Sequence, residues 1–134
     1  KKYYQNILGN SGWNFLPNNR FKSYQYIDQA KVSININSTL GYESFARGNR
    51  TAFFSIRPRE KILKTVRFAW PVNIPNKGFF WTNNLSREAC FKVMHNVTKC
   101  SEKKWKKIYK RYSKKIISKN ENNMKFRSIC FRKS

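Results

Sequence analysis

Between residues 101 and 116, five large apolar side chains (Trp105, Ile108, Tyr109, Tyr112 and Ile116) fall at i, i+3, i+4, i+7 and i+11. That spacing is one face of an α-helix. Lys103, Lys104, Lys106, Lys107, Lys110, Arg111, Lys114 and Lys115 take the rest of the surface. Like charges one turn apart repel, so the helix depends on burying its apolar face. Ser101 is the expected N-cap, and Glu102 sits well against the positive end of the helix dipole. The chain must therefore supply a core on which this stripe can dock, while the lysines stay in solvent.

The rest of the chain has the means to build one. At 134 residues, with 40% hydrophobic and 16% aromatic content, it is long enough for one modest core and too apolar for a disordered basic tail. Against 29 Lys and Arg stand only 6 Asp and Glu, giving a formal net charge of +23. Self-repulsion of that size calls for a dense polyanion as partner, whether nucleic acid, an anionic membrane or a sulfated polysaccharide. Fourteen basic and two acidic residues lie between Lys99 and Ser134, so about half of the excess is C-terminal. The remaining cations are scattered through the whole chain, which favours nucleic acid.

The acidic residues are Asp28, Glu43, Glu60, Glu88, Glu102 and Glu121, and His95 is the single histidine. No two acids lie within six positions of each other, so clustered-carboxylate nuclease chemistry and a hydrolytic triad both lack their parts. The expectation is a non-enzyme with no cofactor, no metal and no small-molecule substrate. Cys90, His95 and Cys100 have the Cys-x4-His-x4-Cys spacing of part of a zinc knuckle, with Cys130 as a remote fourth ligand. Arg87 stands where that knuckle needs another cysteine, and small buried hydrophobes are the plainer reading. Three cysteines do not make a disulfide framework. Asn-x-Ser/Thr sequons at Asn37, Asn49, Asn84 and Asn96 are weak evidence of secretion. No apolar run approaches a membrane span. The chain opens on Lys1, consistent with a missing upstream segment, and its Lys, Asn, Ile, Tyr and Phe usage fits an AT-rich, organellar-type genome.

The expected organisation is an aromatic and basic arm over 1–26, one α+β domain over 27–117 and a basic tail over 118–134. The fold class is α+β, a small antiparallel sheet packed with two helices plus basic terminal extensions. Val32, Ile34 and Ile36 alternate as in a half-buried strand. Gly41 and Gly48 bracket a turn region, and 51–66 reads as a helix whose firm part starts near Pro58. Val66, Phe68 and Trp70 read as a strand, as do residues 79–81 and 89–94.

The candidate RNA-contacting cations are Arg20, Lys22, Arg47, Arg50, Arg57, Arg59, Lys61, Arg67, Lys103, Lys106, Lys107, Lys110, Arg111 and Lys114. Guanidinium forks grip phosphate oxygens in pairs, and Gly48 between Arg47 and Arg50 would let the backbone approach a phosphate. Trp13, Phe21 and Tyr24 are candidates for stacking on unpaired bases. The lysine helix alone fits phosphates, an anionic membrane or a calmodulin-like groove, the membrane reading being weakened by a stripe of only one Trp, two Tyr and two Ile.

The order of features resembles the universal large-subunit ribosomal protein sixteen family in its bacterial and organellar form. Pro17 to Gln25 is similar to that family's basic-Phe-basic opening. Residues 40–45 followed by Thr51 are similar to its aromatic-Gly segment and the start of its first helix. Val66 to Pro75 is similar to its Ile-Arg-x-Phe-Pro strand. Residues 91–93, 96–98 and 101–116 are similar to its late strand, turn and helix. The family's glycine-rich loop has no counterpart between Pro75 and Trp81. The resemblance implies a structural protein of the large ribosomal subunit in the mitochondrial matrix. It would order rRNA near the tRNA sites, with neighbouring ribosomal proteins as partners and tRNA as a candidate contact. The competing reading is a secreted or peripheral cationic protein that binds glycosaminoglycan or anionic membrane through its lysine helix.

Overall fold

A computed structural model of the chain describes residues 2–16, 22–36, 38–55 and 67–117. These carry, in order, α1 (Lys2–Leu8), α2 (Lys22–Gln29), β1 (Ser33–Asn35), α3 (Thr39–Ala46), β2 (Thr51–Phe54), β3 (Trp81–Thr82), α4 (Arg87–Lys99) and α5 (Glu102–Ile116). The fold is α+β. Its three strands lie in the order β1-β2-β3 and both pairings are parallel, so the antiparallel sheet expected from the sequence is corrected. For β1 and β2 the physical reason is α3: a strand returning parallel to its neighbour needs a crossover, and α3 carries the chain from one to the other.

The β1–α3 junction explains why this crossover was read as a turn. Asn35 is buried; its Oδ1 accepts from the Ser38 N–H at 3.1 Å and its Nδ2 donates to the Ser38 carbonyl at 3.1 Å. Ser38 then caps α3, its Oγ accepting from the Leu40 N–H. The face of β1 that turns inward is therefore the Asn35 face. Ile34 and Ile36, the expected core residues, are 61% and 54% exposed. Gly41 sits inside α3 because a Cβ there would lie 2.1 Å from the Asn35 Cγ. Gly41→Ala is expected to destabilise the protein by about 1–3 kcal/mol through overpacking, although alanine is the better helix former by about 1 kcal/mol. A urea midpoint unchanged or raised by this substitution would contradict the packing described.

Residues 51–54, read as the start of a helix, are the central strand, and all four are buried. A strand covered on both faces loses the alternation that identifies strands in a sequence. The expected helix start at Pro58 lies outside the described residues. Residues 89–94, read as a strand, belong to α4, which Ser86 caps by accepting from the Ala89 N–H. Residues 68–70 form a turn rather than a strand.

The core is aromatic. Phe45 from α3 stacks on Phe80 at 4.8 Å between ring centres and meets Phe53, Trp105 and Tyr109 edge-on. Phe68 packs on Phe53 at 4.5 Å and on Trp81 at 5.4 Å. Offset and edge-to-face pairs of this kind add to plain area burial. This layer is the bed for α5.

Candidate functional site

The apolar stripe of α5 docks as its spacing requires. Trp105 is buried and donates its indole N–H to the Gly48 carbonyl at 2.8 Å. One turn on, the Tyr109 hydroxyl donates to the Ala46 carbonyl at 2.9 Å, and Tyr112 meets Phe80 and Trp81 edge-on. Ser101 caps the helix, its Oγ accepting from the Lys104 N–H. With the stripe held down, Lys103, Lys106, Lys107, Lys110, Arg111 and Lys114 are all exposed, as are Lys104 and Lys115. Among the described residues the ion pairs are Arg47 with Asp28 and Arg50 with Glu102. Among the described residues no carboxylate pairs with the lysine face.

The arginine loop has internal partners. Arg47 forms a forked pair with Asp28, which also accepts from Asn49 Nδ2 at 2.8 Å. Its guanidinium lies 5.7 Å from the centre of the Tyr24 ring. The Tyr24 hydroxyl donates to Glu43 at 2.9 Å, and that carboxylate raises the tyrosine pKa above its ordinary value. Arg50 is largely covered and donates to both Glu102 and the Val97 carbonyl. Gly48 takes a left-handed φ of 88°, and its carbonyl serves Trp105. These contacts tie α2, α3, α4 and α5 together.

Of the other candidate residues, Lys22 is exposed at the start of α2 and Arg67 donates to Asn76 at 2.8 Å. Trp13 donates to the Gly9 carbonyl and packs edge-on against Phe15. Arg20, Phe21, Arg57, Arg59 and Lys61 lie outside the described residues. Cys90 and His95 lie on α4, Cys100 is buried at its end, and Cys130 lies outside the described residues. Among the described residues no group of three His, Cys, Asp or Glu side chains could hold a metal ion, and no helix is long and apolar enough to cross a membrane.

Sequence reasoning missed a cleft. It lies between α4 and the chain around β3, has a volume of about 570 Å3, and is lined by residues including Phe79, Ala89, Val93, Lys77, Glu88 and Lys92. The signal that could have placed α4 beside it was the Ser86 cap followed by Ala89, Val93 and Val97 at helical spacing.

In comparisons with known proteins, a family model described as "putative O-antigen biosynthesis protein" matches residues 1–133. No curated protein matches. No solved structure matches. The family match overturns the resemblance to ribosomal protein sixteen. With that resemblance go the large-subunit role, the partners rRNA, ribosomal proteins and tRNA, and the mitochondrial location, since O-antigen biosynthesis is bacterial. The fold shows why the motif order misled. Thr51, matched to the start of a helix, begins the central strand, and residues 91–93, matched to a strand, lie within α4. Spanning nearly the whole sequence, the match makes this chain a member of the family described as putative O-antigen biosynthesis proteins.

Proposed function

We propose that this chain serves O-antigen biosynthesis as a binding protein rather than a catalyst, holding an acidic or phosphorylated saccharide chain against the lysine face of α5. O-antigen is a polysaccharide, and the exposed cationic face of α5 is one such a polymer could track. The observation that carries the reading is the exposure of Lys103, Lys106, Lys107, Lys110, Arg111 and Lys114, with no carboxylate partner among the described residues. Bound polyanions release counterions, which makes such a face salt-sensitive. A non-catalytic role is favoured because three of the four described carboxylates, Asp28, Glu43 and Glu102, are engaged by Arg47, Tyr24 and Arg50, and Glu88 belongs to no metal-holding group among the described residues.

The test is retention of the full chain on immobilised polygalacturonate and phosphorylated dextran, with neutral dextran and anionic vesicles as the other arms. Binding to the acidic polymers is expected at 50 mM salt, with a loss of at least about tenfold by 200 mM and no binding to neutral dextran. Equal retention on neutral dextran, or preference for the vesicles, overturns the reading.

A further inference from the structure

The cleft beside β3 has a chemistry the lysine face does not. Its floor is apolar, with Phe79, Ala89 and Val93, while Lys77, Glu88 and Lys92 stand among its lining side chains. A volume of about 570 Å3 falls within the usual range of small-molecule sites, about 300–1,000 Å3. The floor is held rigidly. A Cβ on Gly78 would come within 2.1 Å of the Trp81 ring, and the Trp81 indole N–H donates to the Pro75 carbonyl at 2.9 Å. Gly78 N–H donates to the Trp81 carbonyl at 2.9 Å, and Asn96 Nδ2 reaches the Phe79 carbonyl at 3.3 Å. Lys104 of α5 lies 4.8 Å from the centre of the Phe79 ring, so the cleft adjoins the start of the lysine face.

We infer that this cleft binds a pyranose ring of a saccharide, its C–H face on Phe79 and its hydroxyls on Glu88, Lys77 and Lys92. A hydroxyl both donates and accepts, so a sugar needs acceptor-only and donor-only groups around one apolar surface. A purely apolar ligand would strip water from these ionic groups without replacing their hydrogen bonds. A simple anion would be drawn by the two lysines but would leave Glu88 without a hydrogen-bond donor. Neither lysine nor Glu88 makes an ion pair among the described residues. The inference shares the saccharide reading of the lysine face but stands on different residues.

The test is saturation-transfer NMR on the full chain with methyl glycosides of a hexose, an N-acetylhexosamine and a hexuronic acid. Transfer to the ring protons of at least one is expected. Filling the cleft with Ala89→Trp is expected to reduce the signal at least tenfold. Glu88→Gln, on the exposed rim, is expected to reduce it several-fold and covers the case in which Ala89→Trp does not fold. Glutamine at the six α5 cations is expected to leave the methyl-hexoside signal intact while removing retention on acidic polymer, which separates failure of this inference from failure of the lysine-face reading. No transfer from any of the three glycosides, or transfer undiminished by the cleft variants, overturns it.

Discussion

Phe45→Ala is expected to lower the free energy of unfolding by about 3–5 kcal/mol, a large part of the 5–15 kcal/mol typical of a domain. The Phe45 ring is fully buried and touches the central strand through Phe53, the β3 segment through Phe80 and α5 through Trp105 and Tyr109. Removing it opens a cavity where three elements meet, and backbone held by the parallel sheet cannot collapse to fill it. Urea unfolding measures the effect, with Phe91→Ala as its control. Phe91 is 70% exposed on α4, so its truncation is expected to stay within about 0.5 kcal/mol. Similar small losses for the two phenylalanines would mean that the core is not centred on α3.

The second large effect concerns charge. Lys103 and Lys107, Lys106 and Lys110, Lys107 and Arg111, and Lys110 and Lys114 are like charges four residues apart on an exposed helix. Each such pair destabilises the helix by about 0.2–0.5 kcal/mol. Replacing Lys103, Lys106, Lys107, Lys110, Arg111 and Lys114 with glutamine is therefore expected to raise the melting temperature. The same replacement is expected to weaken binding to acidic saccharide severely. Each cation near an anionic surface contributes about 1 kcal/mol, so the six together are expected to weaken binding at least about a thousandfold. Stability and binding moving in opposite directions would mark a face kept cationic for its partner.

Legibility in the sequence tracked how strongly one local rule acted on each segment. The α5 helix was legible in full, because its stripe, Ser101 cap and Glu102 all point to one structure. The central strand was not, since residues 51–54 are buried on every side and carry no alternation. β1 misled by a different route. Its isoleucines alternate as if facing a core, yet the buried side chain is Asn35, held by its hydrogen bonds to Ser38. α3 was hidden by Gly41, a residue that reads as a turn but is required there by close contact with Asn35. The cleft depends on residues from 77 to 96 converging through tertiary structure, and no linear spacing records that. The cations of α5 were legible because a helix face is local. The internal roles of Arg47 and Arg50 were not, because Asp28 and Glu102 lie far from them in sequence.

The central claim, that the lysine face of α5 holds a polyanionic saccharide, is tested most directly by the salt dependence of binding. The association constant of the full chain for polygalacturonate should be measured between 50 and 200 mM salt, alongside the variant with six glutamines. The logarithm of the constant is expected to fall linearly with the logarithm of salt for both proteins. Taking about 0.7 per contact on a flexible polyanion, the slope of the variant should be shallower by about 4. Equal slopes for the two proteins would contradict the claim and place the binding surface elsewhere.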